Sequence, residues 1–278
     1  VALTFDDGPG PRTSEILDQL KKYNAHATFF MLGKNVKSYP DAVKQMLKDG
    51  NELGNHSYDH QQLTKIDAEA IAKEVNDTNE NIKNICGSPA TVLRPPYGAI
   101  NDTVKSSVGM PMILWNVDTL DWKTRNTQST IDEVMRDLKD GDIILMHDIH
   151  EPSVKCATEK LIPALIDQGY KLVTVSELAE AKDVTLQSAS YSDFWDSSLQ
   201  AGRVAGYAGN SSDSEDSSED GSDGSDSSDG SDVSDGSSDE GDYSDGSDES
   251  DYSDGSSDDG SYDDGSYDES YDDGSEEY

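Results

Sequence analysis

The chain has only two cysteines in 278 residues, Cys86 and Cys156. They lie far apart and lack the paired spacing of a thiolate metal cage. Two buried thiols and a single disulfide both fit them, so the redox compartment stays open. Long apolar runs are missing as well. No stretch of 18 apolar residues occurs, which excludes a membrane-spanning helix within these residues. No basic, apolar leader is visible, but the chain opens with Val1 inside an apolar run rather than with Met. It therefore reads as processed or cut, and the missing leader says little about its destination.

Positive charge is absent from one whole region. Residues 211–278 contain no Lys or Arg and 28 Asp plus Glu, leaving 30 acidic and 21 basic residues in Val1–Asn210. The net charge of −37 thus divides into −28 for the tail and −9 for the front. A Ser/Asp/Gly-rich segment with few large apolar groups cannot offset roughly 1–2 kcal/mol of backbone ordering entropy per residue. Residues 211–278 are therefore expected to be a disordered acidic tail. A polyanion of this kind is repelled by nucleic acids and by anionic wall polymers, so no nucleic-acid partner is expected. Residues 1–183 have ordinary globular composition and form the expected folded domain, with 184–210 a linker of ambiguous structure in which Phe194 and Trp195 offer a means of docking back.

In residues 1–183, short apolar runs alternate with amphipathic stretches. Strands are expected at Val1–Phe5, Thr28–Met31, Glu52–Asn55, Thr91–Arg94, Met112–Val117, Asp142–His147 and Lys171–Val175. Helices are expected at Thr13–Tyr23, Asp41–Asp49, Asp67–Ile85, Asn101–Ser107, Ile131–Lys139 and Thr158–Gln168. In the first, Ile16, Leu17, Leu20 and Tyr23 share a face. Strand–helix alternation argues for an α/β fold with a parallel sheet, either closed or doubly wound, and the lack of a Gly-rich dinucleotide turn favours barrel-like closure.

In such folds chemistry sits at the C-terminal ends of the strands. Polar residues collect there: Asp6 and Asp7 after the first strand, His56 and His60 after the third, Arg94 at the end of the fourth. Asp118 and Asp121 follow the fifth, and His147 and Asp148 end the sixth. An Asp with two His leaves an open position on a zinc-like ion, the arrangement of a hydrolytic site. HxxxH alone is a weak signal, and DDGP alone suits an Asx turn. Together they are stronger, because a buried carboxylate pair is costly without a cation. Adjacent carboxylates also leave a strand in different directions, so one can ligate while the other takes a proton.

The motifs Thr4-Phe5-Asp6-Asp7-Gly8-Pro9, His56-Ser57-Tyr58-Asp59-His60, Arg94-Pro95-Pro96-Tyr97-Gly98, Asp118-Thr119-Leu120-Asp121-Trp122 and Leu145-Met146-His147 stand in this order. The set resembles the five motifs of polysaccharide deacetylases with the NodB homology domain, carbohydrate esterase family 4, from about Val1 to Lys182. The resemblance implies a distorted (β/α)7-type barrel. It implies that Asp7, His56 and His60 hold a divalent metal, commonly Zn2+ with Co2+ or Ni2+ able to substitute. Asp6 would be the general base, paired with Arg94, and His147 the general acid, tuned by Asp121. The backbone N–H of Tyr97 would help stabilise the oxyanion, and Trp122 and Leu145 would line the acetyl pocket. His26, Trp115, Asp148 and Asp59 are read as structural or supporting groups, and His150 as a loop histidine bordering the groove.

Asn116–Lys123 and His147–His150 look most similar to bacterial peptidoglycan N-acetylglucosamine deacetylases. The expected substrate is therefore an acetylated polysaccharide, with acetylxylan or chitin-type oligosaccharides as alternatives on the same site. A lapsed barrel that only binds glycans is the non-enzyme alternative, although no motif residue is missing. The resemblance implies an extracellular or cell-wall location and a monomer. The tail resembles Ser-Asp-rich stalks of some Gram-positive surface proteins but carries no sorting motif.

Overall fold

The structure, a computed structural model, describes residues 1–195. The expectations for 196–278, the end of the linker and the acidic tail, lie outside the described residues. Eight strands among the described residues form one parallel sheet: β1 Ala2–Asp6, β2 Thr28–Met31, β3 Glu52–Asn55, β4 Val92–Leu93, β5 Met112–Ile113, β6 Val117–Asp118, β7 Ile143–His147 and β8 Ser190–Tyr191. Their order is β6-β7-β1-β2-β3-β4-β5-β8.

That order contains the closure. β5 and β6 are separated by only Leu114, Trp115 and Asn116, yet they pair near opposite edges of the sheet. Three extended residues span only about 10 Å, so the sheet must curl until its edges approach. Asn116 makes the crossing, its Oδ1 accepting from Ile143 N at 2.8 Å and its Nδ2 donating to Asp142 Oδ1 at 2.7 Å. The single strand expected over Met112–Val117 is therefore two strands with a bridge between them. Beyond β8, Phe194 N donates to Gly141 O at 2.8 Å, tying the chain back to the segment that leads into β7.

Strand alternation sorts the side chains into two layers. Leu3, Phe5, Phe29, Met31, Leu53, Ile144 and Met146 point outward into a core shared with the helices. The helices before β7 are α1 (Thr13–Lys22), α2 (Gly33–Val36), α3 (Pro40–Lys48) and α4 (Ala68–Cys86), followed by α5 (Asp102–Val108), α6 (Asp121–Thr124) and α7 (Thr127–Asp137). Next, α8 (Glu151–Cys156) runs through a π-type turn, Ala157–Leu161, into α9 (Ile162–Asp167). This run starts seven residues before the expected Thr158, with Pro152 in its first turn, where a missing N–H costs nothing. Pro163 sits just after the π turn and cannot complete an ordinary helical ladder. Asn126 caps α7 by accepting from Ser129 N, so α7 also begins earlier than its apolar period suggests.

The inward positions close the bottom of the barrel. Ala2, Phe30, Val92, Ile113 and Ile143 pack there against Val175, Leu178 and Phe194. The strand expected over Lys171–Val175 is absent: Val173 makes one parallel bridge to Ala2, and the chain then enters α10 (Val175–Ala181). The cause is a capping box, with Thr174 and Glu177 satisfying each other's backbone N–H. Residues 184–195, read from the sequence as linker, include β8 and the fully buried Phe194. Cys86 and Cys156 are free thiols.

Replacing Phe194 by Ala removes a buried ring from the barrel floor and is expected to cost about 3–5 kcal/mol of stability. Chemical denaturation of the purified chain reads this loss, and a change below about 1 kcal/mol would show that the segment after α10 is peripheral to the fold.

Candidate active site

The register of the sheet lines up the chemistry. Asp6 at the end of β1 is the direct neighbour of His147 at the end of β7. Arg94 follows β4 and points inward, fully buried. Its Nη1 donates to Asp6 Oδ1 and to Thr4 Oγ1, each at 2.7 Å. Its Nε donates to Ile113 O at 3.0 Å and its Nη2 to Leu114 O at 2.8 Å. The guanidinium lies over the Phe30 ring, 4.2 Å from its centroid. Burial raises the Asp6 carboxyl above its ordinary value, and the charge and hydrogen bond of Arg94 oppose that rise. The result is a buried carboxylate with a fixed cationic partner and one oxygen, Oδ2, aimed toward His56 at 3.6 Å.

Three further side chains converge beside it. His56 Nε2 and His60 Nε2 stand 3.6 and 3.5 Å from Asp7 Oδ1. These separations are too long for hydrogen bonds. Asp7 Oδ1 is buried and has no hydrogen-bond partner among the described residues. Ligands about 2.0–2.1 Å from a tetrahedral ion stand roughly 3.3–3.4 Å apart, so the three groups have the spacing of a divalent-metal half-shell. Their donor atoms all lie within 4.8 Å of one another. His56 is prepared for this use: its Nδ1 lies 2.7 Å from Arg94 O, which assigns the proton to Nδ1 and leaves Nε2 as a lone-pair donor. Burial pushes its pKa down to about 3, so the ring is neutral. An orphaned carboxylate oxygen and a neutral, oriented imidazole fit a cation, and the residues present suit zinc or a similar ion.

His147 has the opposite electrostatics. Its Nδ1 lies 2.8 Å from Asp121 Oδ1, while Asp121 Oδ2 accepts from the His147 backbone N–H at 2.9 Å. Burial works against the charge, but the Asp121 hydrogen bond and carboxylate outweigh it and push His147 up to about 9. The same pairing holds the Asp121 carboxyl below its ordinary value although burial alone would raise it. A buried carboxylate and a charged imidazole thus stand on neighbouring strands.

The backbone around these groups is strained. Asp7, Ser57, His60, Tyr97 and Leu120 all have positive φ, between 53° and 74°. Each costs of order 1 kcal/mol or more for a residue other than glycine and persists only where the surroundings impose it. Tyr97 lies in the 3₁₀ turn Pro96–Gly98, exposed, with its ring edge-on to His60 at 4.7 Å between centroids. Trp122 is half exposed beside Asp121, and Leu145 is buried two residues before His147 on the same face of β7. The structure thus brings Asp6, Asp7, His56, His60, Arg94, Tyr97, Asp121 and His147 to one end of the barrel. His26 lies elsewhere, with Nδ1 2.9 Å from Glu177 Oε1 near the start of α10.

Asp148 is more than a loop cap. It is buried, accepts from Thr13 Oγ1 at the start of α1, and fills the space where a side chain on Gly8 would sit. Burial pushes it up to about 7. Only the tertiary approach of β7 to the Asp7–Gly10 loop reveals this, because nothing in the local sequence marks it. His150 stands at the rim, its ring 6.2 Å from that of His147.

Comparison with known proteins finds a family and several relatives for this chain. The family described as Polysaccharide deacetylase matches residues 1–112. The chain is 51% identical over 183 residues to the peptidoglycan-N-acetylmuramic acid deacetylase PdaC of Bacillus subtilis, covering 66% of this chain and 39% of that protein. The solved PdaC structure superposes with a TM-score of 0.64, covering 66% of this chain and 90% of that one. A peptidoglycan-N-acetylglucosamine deacetylase of Bacillus cereus is 38% identical, with 66% of this chain and 89% of that protein covered. A family 4 acetyl xylan esterase of Clostridium thermocellum, solved with cobalt, is 32% identical with a TM-score of 0.65, covering 69% of this chain and 97% of that one. The chain spans about two fifths of the length of the first of these relatives. With a parallel curled barrel, five ordered motifs and a relative 38% identical that is covered over 89% of its length, the chain belongs to the polysaccharide deacetylase family.

Proposed function

We propose that this protein is a metal-dependent hydrolase that removes N-acetyl groups from amino sugars of a polysaccharide, with peptidoglycan as its substrate and zinc as its metal. The observation that carries the reading is the convergence of three groups at one mouth: Asp7 with His56 and His60, the Asp6–Arg94 pair, and the His147–Asp121 pair. Two relatives named for peptidoglycan favour that polymer and an extracellular or wall location.

Asp7, His56 and His60 would hold the ion, which when bound supplies a Lewis acid and makes water acidic enough to attack at neutral pH. Asp6 takes a proton from the attacking water. Its carboxylate is desolvated enough to be a good base, and Arg94 keeps it ionised and aimed. As the carbonyl oxygen gains charge, the backbone N–H of Tyr97 donates to it. The new C–O bond forms, the amide C–N bond breaks, and His147 delivers its proton to the departing nitrogen. Acetate and a free amine leave. Asp121 keeps His147 charged and fixes which ring nitrogen faces the substrate. Trp122 and Leu145 border the acetyl methyl.

Purified protein is expected to carry about one divalent ion per chain by elemental analysis, and His56→Ala to lose it. Acetate release should stop with EDTA and return with zinc, and a chelator-resistant amidase would overturn the assignment. Asp6→Asn is expected to lower kcat about 10²- to 10⁴-fold while the metal stays bound. Wild-type turnover in that variant would remove Asp6 from the mechanism. The third outcome concerns pH. A general acid works while protonated, so activity should fall as pH rises through about 9, the value at which His147 loses its proton. Removing the carboxylate in Asp121→Asn lowers that value, and the alkaline limb of kcat/KM should move toward neutral pH. An unmoved limb would show that His147 is not the group being titrated. Amide and ester hydrolysis measured side by side on peptidoglycan and acetylxylan separates the two substrate classes.

A further inference from the structure

His56 and His60 are held in different ways. His56 is fixed at both ends, its backbone N–H donating to Met31 O on β2 at 2.9 Å and its Nδ1 lying against Arg94 O. The His60 ring has no such anchor. Among the described residues no hydrogen bond reaches its Nδ1; its Nε2 faces Asp7 Oδ1, and the rings of His56 and Tyr97 flank it. Where His60 stands is therefore set by its backbone, the loop Ser57–His60. Ser57 at φ 66° and His60 at φ 74° are both in the left-handed conformation. A loop strained at both ends keeps its shape only if its polar groups are met.

Ser57 N donates to Asn55 Oδ1 at 2.9 Å, and His60 N to Ser57 Oγ at 3.1 Å. The carbonyls of Ser57 and Tyr58 accept from Gly33 N and Lys34 N of α2, each at 3.0 Å. The two central N–H groups, of Tyr58 and Asp59, both donate to one atom, Glu74 Oε2, at 2.8 and 3.3 Å. Glu74 reaches them from α4, and α4 is a firm base. It is capped by Asp67, which accepts from Ala70 N, ends at Gly87 in the left-handed conformation, and buries Ile71, Val75 and Ile82. It is also fastened to the end of β3, just before His56, where Asn55 Nδ2 donates to Val75 O at 2.9 Å and to Asn79 Oδ1 at 3.0 Å. A glutamate on a helix surface ordinarily pairs with a Lys or Arg one turn away. Around Glu74 those positions hold Ala70, Ile71, Asp77 and Thr78, and the adjacent Lys73 pairs with Asp77 instead.

We infer that Glu74 is a positioning residue for the metal centre: its carboxylate fixes the Tyr58 and Asp59 N–H groups, and through them the place of His60. An ionised acceptor holds backbone N–H groups more tightly than a neutral one, and a ligand set tolerates displacements of only about 0.5 Å. Glu74 lies outside the five motifs and is not one of the three groups that would hold the ion. It acts through the loop alone.

This role rests on the metal half of the proposed function and not on the choice of substrate. The full chain, stripped of metal, is loaded with zinc in competition with a chromogenic chelator, as wild type, Glu74→Ala, Glu74→Gln and Glu74→Asp. Zinc affinity is expected to fall about 10- to 100-fold in Glu74→Ala, the range for groups that orient metal ligands. Glutamine keeps an oxygen at the same reach, so Glu74→Gln should recover most of the affinity. Aspartate keeps the charge but is one methylene short, so Glu74→Asp should stay with the alanine variant. The visible absorption of cobalt-loaded protein, which reports ligand geometry, should change in the alanine and aspartate variants and match wild type in the glutamine one. Thermal melting of the metal-free chains checks the fold and should agree among all four. Wild-type zinc affinity in Glu74→Ala overturns the role, as does a glutamine variant no better than alanine. If Glu74→Ala fails to fold, Glu74→Gln against Glu74→Asp decides, equal zinc affinities overturning the role. A wild type that takes up no zinc overturns the metal centre and this role together. Zinc uptake without acetate release removes only the deacetylase reading, and the variant affinities still decide Glu74.

Discussion

Arg94 places a full positive charge in the dry interior of a parallel barrel, and much of the molecule is arranged around that fact. Desolvating a guanidinium costs several kcal/mol, recovered only if its donors and its charge are met. Here they are met by three different places in the chain: Thr4 and Asp6 on β1, the carbonyls of Ile113 and Leu114 at the end of β5, and the face of Phe30 on β2. One side chain therefore ties together the strands on both sides of the barrel where it has to curl. Removing one partner from such a pair strands a buried charge and typically costs 3–5 kcal/mol. The pair that aims Asp6 is in this way also a structural clamp, so that the site and the closed barrel stand or fall together.

The same clamp sets the chemistry on either side. Arg94 contributes its carbonyl to His56 Nδ1, so the residue that anchors Asp6 also sets the orientation and proton of a candidate ligand. Across the sheet, β7 carries His147 into register with Asp6, and α6 brings Asp121 to it. Two charge pairs of opposite sense result. One keeps a carboxylate in a protein interior and the other keeps an imidazolium there, which is the separation of acid and base that hydrolysis of an amide requires. Positive φ at Asp7, Ser57, His60, Tyr97 and Leu120 is the local cost of aiming side chains from loops whose ends the sheet has already set.

Much of the fold was legible in the chain. β1, β2, β3 and β7 fall within one residue of their expected positions; β1, β2 and β7 are the largely apolar runs of strands buried on both faces, whereas β3 reads Glu52-Leu53-Gly54-Asn55. The failures share a cause. The break between β5 and β6 depends on Asn116 reaching the segment before β7, and no window of sequence around 112–117 contains that segment. β8 is two residues long and exists only because β5 offers an unpaired edge. At Thr174 the signal was present: Thr174-Val-Ser-Glu177 is a capping box that outweighs the β-branched run before it.

The candidate site divides in the same manner. Sequence alone determined which residue types bear on the chemistry and that they follow strand ends, since parallel α/β folds place those ends together whatever the loops do. It also determined that residues 211–278 hold 28 Asp plus Glu and no Lys or Arg. Tertiary structure alone decided the rest: that among the described residues Asp7 Oδ1 is left without a hydrogen bond between two imidazoles, and that His56 is neutral while His147 is charged. Burial and partner distance are properties of the whole packed chain. Two histidines with the same pKa in an unfolded peptide part by several units only when one is buried near a cation and the other is given a carboxylate.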